Sequence, residues 1–465
     1  MQRVPTSPDH CRHPACSARR LPVHALLAVL VLGGADASAY ELVRHEGLVA
    51  TGELNVRAGF RHGRNINFGL GAVQGFGSLT PVGETSRNDL QMALKPGLNV
   101  EYALTGSTLY GGLTAVAATT TLDGELSGQF ARSGDQVTDT DAAYVGWRND
   151  WLDLSYGGRE FTVGDGFIVG DGNFNQGHDN GQYWTGAFTA WRNTGVLKIN
   201  TSPVRGDLFW LRTDGDLGDS RLAGVNLENS DSERWGRLGL MYFEVFDDNG
   251  VIGFDGLEVG GVRGADLHLP ALPQLKLYGE YVNQGGEVRR TGAEVDADAD
   301  AWYVEPTWQF SDWLWTPRLY YRYAYYSGDE AGTPQLEEYR GLFFTIFKRD
   351  WDTWYQGEVT GEFHLFNQNQ RTHMAKLKVF PTARSAFGFW YYHHALDTPQ
   401  YFGVPTAGRT EWADELNLSF EYYPNDRLYY FAGFAVAAPA AAAQAVYGHN
   451  KTQMVVETFV SYTFR

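Results

Sequence analysis

Along the alternating segments of this sequence, Arg57, Lys95, Arg148, Arg159, Lys198, Lys276, Arg318, Arg322, Lys376 and Lys378 fall on the polar parity. The acids Glu53, Glu101, Asp153, Glu280, Glu305, Glu415 and Glu421 share it. Guanidinium and ammonium groups on a water-facing wall attract carboxylates and phosphates, guanidinium through paired hydrogen bonds. Arg318, Tyr320 and Arg322 are alternate positions of one segment, so as a strand they share a face. Cations interleaved with an aromatic ring suit carboxylated sugars, through bidentate contacts and ring stacking. The formal net charge is -18, yet bases outnumber acids on this parity. A wall richer in cations than its host chain favours anionic solutes if it lines a pore. Paired across strands, the same residues would instead hold register.

Other chemistry is weakly signalled. His364, His373, His393 and His394 invite a catalytic or metal reading, but His393 and His394 are neighbours on a strand-like segment and point to opposite faces. Asp296, Asp298 and Asp300 are spaced as a calcium loop begins. The sixth place is not glycine and the twelfth is Thr307, so a solvated loop is expected. No nucleophile–histidine–acid or paired-carboxylate spacing stands out. The expectation is therefore no catalytic residue, no metal and no cofactor.

These residues need elements to position them. Aromatic residues make up 14% of the chain and apolar ones 43%, too many for a disordered protein. With 55 acidic against 37 basic side chains, general nucleic-acid binding is not expected. No apolar run is long enough for a membrane-spanning helix, which needs about 18 residues or more. Residues 1–39 read as a secretory signal: Arg3, Arg12, Arg19 and Arg20, an apolar run from Leu21 to Ala35, then Ala37-Ser38-Ala39 as the cleavage site. Both cysteines, Cys11 and Cys16, lie in that segment, so no disulfide framework is expected in residues 40–465.

Period two runs through the rest. Leu90, Met92, Leu94, Leu98, Val100, Tyr102 and Leu104 alternate with Gln91, Ala93, Lys95, Gly97, Asn99 and Glu101. Similar alternation surrounds Leu54–Phe60, Ala143–Trp147, Leu152–Tyr156, Leu275–Tyr281, Trp302–Phe310, Leu319–Tyr325 and Leu416–Tyr422. Some links are short, such as Asn149-Asp150, Ser311-Asp312 and Pro424-Asn425-Asp426. Others are long and polar: 63–87, 121–139, 160–183, 285–299, 328–340, 396–410 and 438–452. Long alternating segments with short turns at one end and long loops at the other predict a transmembrane β-barrel. A bilayer tolerates strands only when the sheet closes. The expected fold is all-β, a closed antiparallel transmembrane barrel of about 18 strands, with 16 as the rival count. It has short periplasmic turns and long extracellular loops. A weak strand is expected near Leu222 to Leu227, and 340–371 is expected as a large outer excursion, in part strand extension. Trp147, Trp151, Trp302, Trp313, Trp315, Tyr422 and Tyr423 suit interface girdles. Gly158-Arg159-Glu160 opens the glycine-rich loop 160–183, which is expected to fold inward and constrict the bore.

The strand ending Tyr325-Tyr326-Ser327-Gly328-Asp329 resembles the strand-then-SGD segment of the outer-membrane alginate-export barrel family. The stretch 374–397 is similar to that family's late hairpin, with Lys376 and Lys378, a Pro381 turn and an aromatic strand reaching Tyr392-His393-His394. Residues 411–437, with Asp414-Glu415-Leu416-Asn417-Leu418, resemble its penultimate hairpin, and Gly158-Arg159 the strand end before its inward loop. The resemblance covers the last third well and the rest loosely. It implies an 18-stranded, porin-type channel passing polysaccharide or small anionic or carbohydrate solutes across the outer membrane of a Gram-negative bacterium. The family's exporter has an arginine-rich lumen. This chain has few inward arginines and several inward acids, which favours a general or carbohydrate-selective porin. The alternatives are a barrel with a lipase- or protease-like activity, or a structural surface barrel. The expected substrate path comprises the basic residues above with Glu280, Tyr320 and Glu415. Expected partners are outer-membrane lipid, anionic polysaccharide or small solutes, and the barrel-assembly machinery, engaged through the last strand ending at Phe464.

Overall fold

The computed structural model describes residues 40–464 apart from 75–77, 129–131, 172–184, 214–218, 231, 234, 248–253, 291–292, 342, 346–353 and 355. The signal reading of 1–39 and part of loop 160–183 lie outside the described residues. The strands are β1 (Tyr40–His45), β2 (Leu48–Arg64), β3 (Ser86–Leu104), β4 (Ser107–Leu122), β5 (Gln136–Arg148), β6 (Leu152–Gly158), β7 (Asn193–Ile199) and β8 (Val204–Arg212). They continue as β9 (Arg221–Asn229), β10 (Arg237–Asp247), β11 (Glu258–Leu269), β12 (Leu272–Gly285), β13 (Glu287–Arg290), β14 (Ala293–Asp296), β15 (Ala299–Gln309) and β16 (Arg318–Tyr326). The last are β17 (Gln370–Thr382), β18 (Ser385–Leu396), β19 (Gln400–Tyr401), β20 (Val404–Pro405), β21 (Glu411–Asn425), β22 (Leu428–Pro439) and β23 (Gln453–Phe464).

Each barrel strand pairs antiparallel with the next. β23 returns to β2 over Leu54↔Phe464 through Arg64↔Met454 and closes an 18-stranded barrel. The hairpins β13–β14 and β19–β20 stand apart within loops. β1 was not foreseen, and neither were these two hairpins, whose segments read as loops. β1 pairs with Leu48–Gly52 of β2, on the same edge that β23 occupies further up. β9 lies where the weak strand was expected.

The alternation has the expected sense. Val145 is 67% exposed and Leu113 53% on the outer face, beside Leu154, Leu208, Leu240, Leu319, Phe389 and Leu418. A neighbour of each outward residue points inward, as for buried Glu415 and Asn417 flanking outward Leu416. An outer wall of apolar side chains on a sheet without edges satisfies every strand hydrogen bond and leaves only apolar groups to meet lipid. Trp151, Trp313, Trp315 and Tyr422 are exposed near the short-turn end. Tyr423 departs from the girdle expectation: it stacks on Tyr429, with ring centroids 4.8 Å apart, on the inner side.

A barrel of this width leaves a hole unless something fills it. Here loops do. The described part of loop 160–183 folds inward as expected. The described residues of 336–366, namely 336–341, 343–345, 354 and 356–366, do the same, which corrects the outer-excursion reading for them. The two are joined by backbone bonds: Gly170 N–H to Phe343 O at 2.6 Å, Phe343 N–H to Ile168 O at 3.2 Å and Thr345 N–H to Gly166 O at 2.8 Å. Phe167 packs on Tyr303, Tyr326 and Trp354. Beneath them the inner wall is apolar: Val196, Phe209, Leu211, Leu222, Met241, Phe243 and Val245 belong to the same core. The polar parity is therefore not wet along its whole length. Where a loop covers it, burial selects apolar residues on the inner face as well.

Candidate functional site

Between the strands β2 to β5, with Thr463 of β23, and the chain at Arg159-Glu160 and Thr189 lies a cavity of about 400 Å³. It is lined by Arg57, Lys95 and Arg159 among the bases and by Glu53, Asp141 and Glu160 among the acids. Asn55, Asn99, Thr114, Tyr144 and Thr189 supply further polar surface. Strand alternation brings Arg57 and Lys95 to the inner face. Arg159 follows the last residue of β6, where the chain leaves the wall to enter the lumen.

Segment 185–191 forms the inner rim. Ala187 and Phe188 pack on Ala93, Val116 and Ala118 of the wall. Arg57 donates to the carbonyls of Thr185 (3.2 Å) and Gly186, and through Nε to Asn55 Oδ1 at 2.7 Å. Lys95 Nζ reaches Asp141 Oδ2 and Thr189 Oγ1, each at 2.7 Å. These bases therefore shape the cavity and charge it at once.

Above the short turns the same wall carries an alternating stack of cations and rings. The Arg148 guanidinium lies 5.1 Å from the centre of the Tyr110 ring, and that of Arg159 4.8 Å from Tyr144 and 5.8 Å from Tyr110. Arg159 also donates to the Tyr110 hydroxyl at 3.2 Å, and Tyr110 donates to Asp153. Arg148 pairs with Glu101 at 2.8 Å. The rings lie flat because their cross-strand partners are glycines. A Cβ on Gly146 would sit 2.3 Å from the Tyr110 ring and one on Gly112 2.7 Å from Tyr144. Guanidinium against ring faces fixes the cation in place and leaves its edge donors for a solute.

The structure thus gathers Arg57, Lys95, Arg148 and Arg159 on one wall. Lys198 stands opposite Asp153 in the β6–β7 register, lower on the adjoining wall. Lys276 is at the short-turn end, paired with Asp266 at 2.9 Å. Glu280 is buried opposite Arg263. The remaining expected residues form a second group on β16, β17, β18 and β21. Lys376 lies 4.5 Å from the Tyr320 ring and 5.1 Å from Trp390. Lys378 pairs with Glu421 at 2.9 Å, and Arg318 stacks on Phe380. Arg322 is fully buried, 3.4 Å from Glu305 and beneath Trp354. Glu415 is buried too, its carboxylate accepting the N–H groups of Val359 (3.0 Å) and Thr360 (2.7 Å). In this second group the charges are spent on one another and on an inward segment.

Tyr110, Tyr144, Asp141 and segment 185–191 were not anticipated. The tyrosines sit on the inward parity beside Arg148, so strand alternation alone pointed to them. Nothing local marks 185–191, whose place is set by contacts with strands far away in sequence.

No protein-family model matches the sequence, and no curated protein does. The fold is similar to that of several solved structures. OccK8 (OprE) of Pseudomonas aeruginosa superposes with a TM-score of 0.57 at 12% identity, covering 89% of this chain and 98% of that one. For OccK5 (OpdH) of the same organism the values are 0.56 and 11%, with coverage of 89% and 98%. For OccAB2 of Acinetobacter baumannii they are 0.55 and 10%, again with 89% and 98%.

Proposed function

We propose that this chain is an outer-membrane channel for small solutes, with a path through the cavity of Arg57, Lys95 and Arg159 and a preference for anions. The single observation that carries the proposal is that cavity of about 400 Å³, charged and roomy enough for a small solute, inside a closed barrel whose outer wall is apolar. The lining sets three bases beside three acids, with Lys95 paired to Asp141, so the preference rests on the guanidinium groups of Arg57 and Arg159, whose forked donors suit carboxylates. The cation–ring stack below would hand a carboxylate from Arg159 to Arg148 without complete rehydration between them. Passage of an anionic polysaccharide of the alginate type calls for a wide continuous bore. Inward segments 160–171 and 185–191 and the described residues of 336–366 favour small solutes instead. The signal reading of 1–39, an outer-membrane lipid annulus around the apolar belt, and engagement of the assembly machinery by β23 ending at Phe464 complete the proposal.

Reconstitution tests it. Purified barrel in planar bilayers is expected to give discrete current steps, and vesicles carrying it are expected to swell faster in small organic anions than in neutral solutes of equal size. Absence of both, with hydrolysis of a lipid or peptide substrate instead, would replace the channel by an enzymatic barrel.

A further inference from the structure

The segment 356–367 lies against the inner faces of β2, β21, β22 and β23, away from the cavity. Val359, Phe363 and Leu365 share a core with Trp412, Ala435, Ala437, Ile66 and Phe68. Two polar anchors accompany that core. Arg61 Nη1 of β2 meets Glu362 Oε1 at 2.6 Å, and Glu415 of β21 accepts the backbone N–H groups already described.

Two observations set this segment apart from the other inward loop. Its ends are bent by non-glycine residues in the left-handed region: Gln356 (φ 65°), Phe366 (φ 52°) and Asn367 (φ 57°). Such conformations persist only where surrounding contacts impose them. The buried interface is also incompletely satisfied. Gln356 Oε1 and the side-chain amide of Asn367 have no hydrogen-bond partner, and neither do Asp89 Oδ1, Gln370 Oε1, Trp412 Nε1 and Glu457 Oε2 on the wall. Each such group is less stable here than in water, where its hydrogen bond would be made. No such atom occurs in the described part of 159–171. Water would satisfy these polar atoms once the segment lifts, at the cost of exposing the apolar contacts with Trp412, Ala435 and Ala437.

We propose that 356–367 is a displaceable plug, latched by Arg61–Glu362 and by Glu415, whose release widens the lumen beside β21, β22, β23 and β2. The consequence for permeation rests on the channel reading above. The latch is sensitive to protons. Glu362 faces Arg61 of β2, Asp89 of β3, Glu125 beyond β4 and Glu457 of β23, and Arg61 is the guanidinium at their centre. Burial, reinforced by Glu457 and Glu125 and opposed by Arg61, pushes the Glu362 carboxyl up to about 8. On the segment itself, burial pushes His364 down to about 3, so it stays neutral. A carboxyl whose pKa is higher when seated than when free takes up a proton on seating. Seating is then favoured fully below the ordinary carboxyl range, and that advantage is lost as pH rises through about 8.

Single-cysteine reporters test this in the full chain, with Cys11 and Cys16 changed to serine. Thiol labelling of Leu365→Cys, normalised to the exposed Thr333→Cys, is expected to be about tenfold or more faster at pH 9 than at pH 6. Adding Glu362→Gln should hold it at the slow rate throughout. If Leu365→Cys fails to give a heat-modifiable barrel, Val359→Cys replaces it. A rate independent of pH overturns the plug. So does a parallel rise at Ile168→Cys in the other inward segment, which would mean general loosening. Conductance is expected to be larger at pH 9 than at pH 6. Labelling that follows pH without conductance at any pH would refute the channel reading and leave the plug standing.

Discussion

Replacing Arg61 with methionine is expected to destabilise the barrel by about 3–5 kcal/mol, the usual cost of stripping the partner from buried charges. The guanidinium is fully buried. It lies 2.9 Å from Asp89, 2.6 Å from Glu362 and 3.9 Å from Glu125, all of them buried as well. Without it, these carboxyls must either stay ionised in a dry site or bind protons that are scarce at neutral pH. The penalty is therefore expected to be larger at pH 8 than at pH 5. Urea unfolding of the barrel refolded into vesicles measures it. Glu362→Gln in the same background should recover part of the loss, because one buried acid has been removed, so the double change should cost less than the two single changes added together. A shift in stability below about 1 kcal/mol would show that the cluster is already hydrated or neutral.

The second large effect separates the two faces of one strand. Leu113 is outward in the middle of β4, whereas the adjacent Thr114 lines the cavity. Leu113→Arg places a guanidinium against hydrocarbon and is expected to cost about 2–4 kcal/mol. Thr114→Arg places it in water beside Asp141 and Glu53, and is expected to leave unfolding nearly unchanged while altering current. Equal penalties at the two positions would contradict an apolar outer wall around a wet interior.

The barrel was legible in the sequence because its main constraint acts on neighbouring residues. Lipid outside and water inside impose a period of two, which Leu98–Asn99 and Leu416–Asn417 display without any knowledge of the fold. Counting the alternating segments, with both barrel ends on one side, points to about 18 strands with 16 as the rival, and the barrel has 18. The rule weakened over β7 to β11. There Val196, Phe209 and Phe243 lie beneath the inward segments, so both faces are apolar and the alternation fades. The lumen was harder to read for the same reason. Parity assigned Arg57, Lys95, Arg148 and Arg159 to the inner face, and they converge. It also assigned Arg322 and Glu415 there, yet these are buried beneath Trp354 and Val359-Thr360 respectively. Which part of a wall a loop covers depends on contacts such as Trp354 over Arg322 and Glu415 with Val359, whose partners are remote in sequence. β1 was missed because its register on β2 contains a bulge between Glu41 and Val43, which breaks the period.

Ions are expected to cross the barrel through the cavity of Arg57, Lys95 and Arg159. The direct measurement is the reversal potential of the reconstituted barrel in a salt gradient, compared between the unaltered chain and Arg57→Gln/Arg159→Gln. The unaltered barrel is expected to favour anions, and the double change to move the reversal potential toward the cation side. An anion preference that survives both substitutions would place the conducting path elsewhere and contradict the account.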